Sequence, residues 1–442
     1  MQKGSAYFKN NTVKAKVSKP AVVNGGHFLM GSLHYPTNPY FQFVTDKNIL
    51  DYTIPIDQRK VKSKKINEWV YVGEPCYNNV WCLFVSLVAH STYTSHRDVL
   101  GYLLDNEISF RMIKGLNEHY FLNNGAFGDG EVGKVFTIFP KSISDAQKIA
   151  FDLSGLLAES AGPDIEKAVK IGNCLYASIA KVSESVEDGA VVKITNFSVP
   201  GRRRDVPFEV TKRDWKRTKR RFFLGTWYAP TQVLRTSAKG NVYRAISWKY
   251  FSFKDVIIKE ARPSAVADSL FRTSSDRIAM QARVTREIQA KVPCPKFVDY
   301  FEQNGYSYFV MEEIKGDPIV KIIMEERGGQ KWREMSAESK NKLIKLFANV
   351  LLVVKAMHGA GYYHRDITAT NFILTPTGEM KVIDPELCYG FKKEKPEAPF
   401  FSGTPGYRAP EQFAYQEPTE KEDIHSLGAL LSLIATGCIH TY

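Results

Sequence analysis

The sequence predicts an α+β protein whose two halves are built differently. Two observations carry this. Short strand-like runs alternate with a few helices across the first 200 residues, and a second series of apolar strands, starting near Leu234, leads into a long helix pattern from about Glu338 to His358. Trp81 to Ser86 (WCLFVS) is an apolar run of strand length, followed by a helix expected from about Ser95 to Leu104. Ile108 to Ile113 and Gly133 to Pro140 are further strand candidates, and Asp145 to Ala158 has the spacing of an amphipathic helix. In the second half, Val256-Ile257-Ile258-Lys259 is an apolar strand ending in lysine, Asp276 to Lys291 is a helix, and Tyr308 to Ile314 is a strand with its exit. In the long helix, Leu343, Ile344, Phe347, Leu351 and Val354 recur at three- and four-residue steps and are expected to form its inward face.

At 442 residues the chain is long enough for two or three domains. Hydrophobic residues at 44% and charged residues at 24% are ordinary for a soluble globular protein. The longest apolar runs fall far short of the roughly 20 residues of a membrane span, and the first thirty residues hold no apolar signal core. Six scattered cysteines without a CxxC pair suit reduced thiols and a cytoplasmic location. The net charge of +13 is concentrated, with ten of the twenty positions from Arg202 to Arg221 cationic. Charge runs are usually solvated connections. An anionic peptide or phosphopeptide is the functional alternative, and nucleic acid is the weaker choice because no zinc finger, RRM or helix-turn-helix pattern accompanies the run.

The most informative stretch is His364-Arg365-Asp366-Ile367-Thr368-Ala369-Thr370-Asn371. An aspartate there can accept the proton of an attacking hydroxyl, and an asparagine five residues later can hold a magnesium ion on ATP's phosphates. Asp384 follows Asn371 by 13 residues, and then come Gly403 to Glu411 (GTPGYRAPE), Asp423 and Gly428. Order and spacing resemble a protein-kinase C-lobe. On that resemblance Gly240 stands in the glycine-rich loop, Lys259 would contact the α- and β-phosphates, and Glu312 and Ile314 mark the hinge that receives adenine. Glu287 is the expected helix carboxylate for Lys259, with Gln281 as the rival alignment. Asp366 would orient and deprotonate the substrate hydroxyl, Asn371 and Asp384 would bind Mg2+, Thr404 would orient Asp366, and Asp423 would cap the catalytic loop. The usual Asp-Phe-Gly is here Asp384-Pro385-Glu386, and Thr368 stands where Ser/Thr kinases usually place a lysine. The chain stops 14 residues past Gly428, so the C-lobe is expected to be incomplete.

The whole order is similar to the class III/IV lanthipeptide synthetases. The resemblance rests on Gly133-Lys134, on Arg203 to Phe208 (RRDVPF), on Lys259 to Pro263 (KEARP) and on the Asp-x-Glu at Asp384. It implies a phosphothreonine-lyase-like domain over 1–200, a basic linker over 201–230, a kinase N-lobe over 231–314 and a C-lobe over 315–442. It also implies ATP and Mg2+ as cofactors, a Ser/Thr-containing precursor peptide as partner, and a separate lyase or cyclase as a candidate further partner; the family's cyclase domain is absent from this chain. The family's lyase half carries Trp-Lys-x-His and Phe-Lys-Phe, whereas Cys82, Phe84 and Arg111 occupy the lysine, histidine and lysine positions here. Arginine stays protonated near neutral pH and is a poor general base. The lyase half is therefore expected to be degenerate, with Lys134, Arg203 and Arg204 left as candidate phosphate ligands. A Ser/Thr kinase, a pseudokinase scaffold and a bifunctional kinase–lyase are the three readings that follow.

Overall fold

The computed structural model describes residues 51–438 except 75–78, 90–92, 188–189, 219–222, 250–252, 266–271, 395, 401 and 415. The aromatic residues Tyr35, Tyr40, Phe41 and Phe43, Cys76, and Lys219, Arg220 and Arg221 of the basic run lie outside the described residues. A first unit is built on an eight-stranded antiparallel sheet in the order β1-β2-β4-β5-β3-β7-β6, with β8 paired to β7. Its strands are β1 (Ser63–Ile66), β2 (Trp69–Val72), β3 (Trp81–Val85), β4 (Phe110–Ile113), β5 (Phe136–Ile138), β6 (Val169–Gly172), β7 (Leu175–Glu187) and β8 (Ala190–Ser198). The helices are α1 (Ile54–Gln58), α2 (Tyr93–Asp105), α3 (Leu116–Asn123) and α4 (Ile143–Leu156).

β3 shows why its sequence reads as a continuous apolar run. Trp81, Leu83 and Val85 join one core with Val99, Leu103, Ile149 and Leu153 of α2 and α4. Cys82 and Phe84, pointing to the other side, join a second cluster with Phe139 and Tyr176. Helix α4 begins at Ser142, whose hydroxyl accepts the Asp145 N–H at 3.1 Å.

The basic run is not the bare connection expected between 201 and 230. Val206, Phe208, Val210 and Trp215 pack onto the first core, with Phe208 edge-on to Trp81 at 5.4 Å. Residues Lys212–Thr218 form α5. The charges hid apolar anchors spaced among them, so the first unit reaches past residue 200.

The second unit opens with the sheet β12-β13-β11-β10-β9. Its strands are β9 (Tyr228–Ser237), β10 (Gly240–Ser247), β11 (Lys254–Ala261), β12 (Phe297–Gln303) and β13 (Tyr306–Glu312). Helix α6 (Ser274–Ile288) lies on it, started by a capping box in which Thr273 and Asp276 satisfy each other's backbone N–H groups. A helical part follows: β14 (Asp317–Pro318), α7 (Ile319–Arg327), α8 (Ala337–Gly359), β15 (Phe372–Leu374), β16 (Met380–Val382), α9 (Pro410–Phe413) and α10 (Glu420–Thr436).

The inward face of α8 differs from the expected one. Leu343, Leu346, Val350, Val353, Val354 and Met357 are buried, whereas Ile344 and Leu351 are exposed. Between 343 and 354 the helix is apolar on most sides, so periodicity alone does not choose the face. Packing chooses the stripe that meets Ile319 and Ile323 of α7 and Leu430 and Leu433 of α10.

Candidate active site

Strand alternation aims Lys259. On β11, Val256 and Ile258 enter one cluster with Tyr308 and Val310, while Ile257 packs with Ile278 and Ala282 of α6. Lys259 shares the face of Ile257 and so turns toward the helix side. Its Nζ lies 2.7 Å from Asp384 Oδ1. The α6 residue that joins them is Gln281, fully buried, whose amide donates to the same Asp384 oxygen at 2.9 Å.

Glu287, the expected partner of Lys259, is corrected by this geometry. Its carboxylate accepts Tyr362 Oη and Lys393 Nζ, the latter at 3.2 Å. Six positions beyond Gln281, it sits about 120° around the helix and about 9 Å further along it. The rival alignment is the one the fold selects, and a neutral amide stands at that helix position.

β9 and β10 meet in a tight turn at Ala238–Lys239, because Ser237 pairs with Gly240. Gly240 has φ +142°, and a Cβ there would lie 2.1 Å from the Glu260 carbonyl oxygen. The glycine is demanded by the approach of β11. Lys239 Nζ reaches Glu386 Oε1 at 2.7 Å, and Arg277 of α6 comes within 3.9 Å of the same oxygen. Burial pushes the Glu386 carboxyl up, but Lys239, Arg277 and Lys259 outweigh it and hold the group at about 2. Lys239, Arg277 and Glu386 were missed as site residues. The signal was the glutamate standing where Asp-x-Gly has glycine.

Glu312 ends β13, donates its N–H to Lys296 O at 3.0 Å and accepts the Lys296 N–H on its carboxylate at 3.1 Å. Ile314 lies half-buried just beyond. Both therefore sit on the strand exit that joins the two lobes.

The loop before β15 holds Asp366 from two sides. Thr404 donates its hydroxyl to Oδ1 at 2.8 Å and its N–H at 3.1 Å. Asn371 donates its amide to Oδ2 at 3.1 Å and to the Asp366 carbonyl at 2.9 Å. Burial pushes the Asp366 carboxyl above the ordinary aspartate range, and nearby Asp384 and Glu386 add to this, while Thr404 pulls the other way. Asp423 accepts the N–H groups of His364 and Arg365 at 2.8 and 2.7 Å, the capping role expected of it. Arg365, fully buried, pairs with Glu422 at 2.6 Å and donates to Phe400 O at 3.0 Å. Arg365 and Asp384 both have left-handed backbones, φ 66° and 67°. For non-glycine residues that conformation costs energy and gathers at functional sites. Thr368 pairs with the Thr370 hydroxyl at 2.9 Å.

In the first unit, cross-strand pairing places Phe84, Thr137 and Arg111 in one row. Arg111 donates to Thr137 at 3.1 Å and pairs with Glu131 at 2.5 Å, and Lys134 pairs with the other Glu131 oxygen at 3.3 Å. The Lys134 ammonium lies over the Phe84 and Phe197 rings, 5.2 and 4.4 Å from their centroids. Burial pushes it below the ordinary lysine range; Glu131 opposes this and Arg111 adds to it. Arg203 and Arg204 belong to a separate exposed turn, where Arg204 approaches Asp205 at 4.0 Å. No described contact joins them to Lys134, so the three candidate phosphate ligands are not brought together.

Residues 237–441 match the protein kinase domain family. The second half of the chain carries a protein kinase domain. Residues 54–192 match the family described as RamC, N-terminal domain. The kinase domain is similar to the serine/threonine-protein kinase Nek1 of Mus musculus, 26% identical over 41% of this chain and 15% of that protein. It is similar to the serine/threonine-protein kinase PksC of Streptomyces coelicolor, 29% identical over 36% of this chain and 30% of that protein. It is also similar to the serine/threonine-protein kinase PknA of Mycobacterium tuberculosis, 26% identical over 46% of this chain and 45% of that protein. The chain thus spans less than half the length of these relatives.

Protein kinases generally use ATP and Mg2+, and the donor set of this kinase domain suits that ion. Among the described residues no group of three or more His, Cys, Asp or Glu side chains is arranged to hold a metal alone. Mg2+ asks for less: one or two carboxylates, with phosphate and water oxygens completing the shell. Asp384 offers a carboxylate, and Asn371 spends its amide N–H groups on Asp366, which leaves its side-chain carbonyl oxygen for a cation. Among the described residues no helix is long and apolar enough to cross a membrane.

Proposed function

We propose that this chain is an ATP- and Mg2+-dependent Ser/Thr kinase of the lanthipeptide-synthetase type, phosphorylating a precursor peptide in the cytoplasm as the first half of dehydration. ATP would supply the phosphoryl group, with Mg2+ neutralising charge on its phosphates. Asp366, held on both oxygens by Thr404 and Asn371, would orient the peptide hydroxyl and take its proton as the new O–P bond forms and ADP leaves. Lys259 would hold the α- and β-phosphates, Asn371 and Asp384 would hold the metal, and the backbone of Glu312 and Ile314 would receive adenine. We assign the kinase N-lobe to about 228–314 and the C-lobe to the remainder, with the N-terminal domain reaching to about residue 215. The observation that carries the reading is the clamp on Asp366, whose partners are the ones a hydroxyl-activating carboxylate needs.

The preceding domain, lyase-like by family resemblance, lacks the acid and base of that chemistry, and its Lys134 and Arg111 share Glu131. We therefore assign elimination to another protein. A binding scaffold is the second reading, and the neutral Gln281 in place of a helix glutamate favours it. Incubation with ATP, Mg2+ and Ser/Thr peptides separates the readings by mass. Gain of a phosphoryl group supports the kinase, net loss of water supports a bifunctional enzyme, and no change supports the scaffold.

A further inference from the structure

The kinase loop that should close over phosphates is seated on the N-terminal domain. Ala238, at its tip, forms a buried cluster with Val132 of the N-terminal domain and Ala265. Gly125 also faces it so closely that a Cβ there would come within 2.9 Å of the Ala238 methyl. The next residue is fixed from two more directions. Arg262 donates its backbone N–H to the Lys239 carbonyl at 2.7 Å, while its buried guanidinium pairs with Glu166 of the N-terminal domain at 3.0 Å. Lys239 itself bonds Glu386, which also faces Arg277 of α6.

We propose that the N-terminal domain positions the nucleotide loop of the kinase, with Lys239 and Glu386 as positioning residues that tie the loop to the metal-binding loop and to α6. In an ordinary kinase the lysine of the third strand and a helix glutamate hold the corresponding helix in place. Here Gln281 is neutral, so the charged tether to α6 runs through Glu386 and Arg277 instead. The loop has a single glycine and little freedom of its own. Its height above the phosphates is therefore set by the surface under Ala238 and by the Lys239–Glu386 pair.

The inference rests on the kinase reading only for its catalytic consequence, so the test has two arms on the full chain. Without nucleotide, hydrogen exchange over residues 236–262 is compared in wild type, Glu166→Gln and Glu386→Gln. Faster exchange at the turn in both variants is the expected result, and unchanged exchange overturns the proposal whatever the protein's activity. With ATP and peptide, Lys239→Met and Glu386→Gln should each raise the KM for ATP about 10-fold with kcat changed less, and the double variant should add little. Lys239 is 44% exposed, so its loss leaves the fold intact, and Lys239→Arg should restore the wild-type KM. If Glu386→Gln shifts the Mg2+ dependence while Lys239→Met is neutral, Glu386 serves the metal and the tether is refuted. Altered exchange in a protein that never turns over ATP would instead sink the kinase reading and leave the tether standing.

Discussion

Gln281 donates to Asp384 at 2.9 Å, on the same oxygen that takes the Lys259 ammonium. Two donors thus share one carboxylate oxygen at the point where metal and phosphate are expected to meet. Lys259→Met should lose most activity, and the rise in melting temperature on adding Mg-ATP should shrink, because ligand stabilisation follows affinity. Gln281→Ala should also shrink that rise, through a loosened Asp384. An undiminished shift in Lys259→Met would move the phosphate lysine elsewhere.

Asp366→Asn should lower phosphoryl transfer by roughly 10²–10⁴ with little change in ATP binding. Asp366 must be ionised to take a proton, and its folded pKa is raised. Activity should therefore fall as pH drops through a value above the ordinary aspartate range. Thr404→Val removes the hydroxyl that holds the carboxyl down, so the acid limb of the kcat–pH profile should move further up. An acid limb unmoved in that variant would detach Asp366 from the profile.

Arg365 and Glu422 are both fully buried and 2.6 Å apart. Glu422→Ala leaves a buried guanidinium without its counter-charge, which costs about 3–5 kcal/mol. A denaturant midpoint within error of wild type would contradict this.

The two faces of α8 give a stability contrast. Leu343→Ala, at a fully buried position, should cost about 2–5 kcal/mol. Ile344→Ala, one residue on and exposed, should stay within about 0.5 kcal/mol. Equal losses would mean that Ile344 is covered in solution.

A phosphoserine peptide offered without ATP should undergo no elimination, since Phe84 and Cys82 are buried apolar side chains and arginine stays protonated. Burial drives the Lys134 amine toward its neutral form. Loss of phosphate that Lys134→Met abolishes would make it the base and end the degenerate-lyase reading.

The kinase site was legible where chemistry needs a fixed residue at a fixed spacing. Asp366, Asn371 and Thr404 meet, as do Lys259 and Asp384. The helix partner was only half legible: Gln281 stood as the rival alignment, but the ion pair asks for a glutamate, and Glu287, the helix's only one, lies about 120° around the same helix. The N-terminal strands were visible from apolar runs, but the extent of that unit was not, since Phe208 and Trp215 are anchors set among arginines and lysines. The face of α8 was hidden for the opposite reason: too many apolar residues, with only tertiary packing to choose among them.

Val132 touches the kinase loop, and its neighbour Glu131 pairs with both Arg111 and Lys134. A substitution that repacks Arg111 or Lys134 would be felt one residue away by the surface under Ala238. Grafting an elimination-competent relative's first domain onto this kinase would then alter how the hybrid handles ATP. The two halves would have to be inherited, and engineered, as a matched pair.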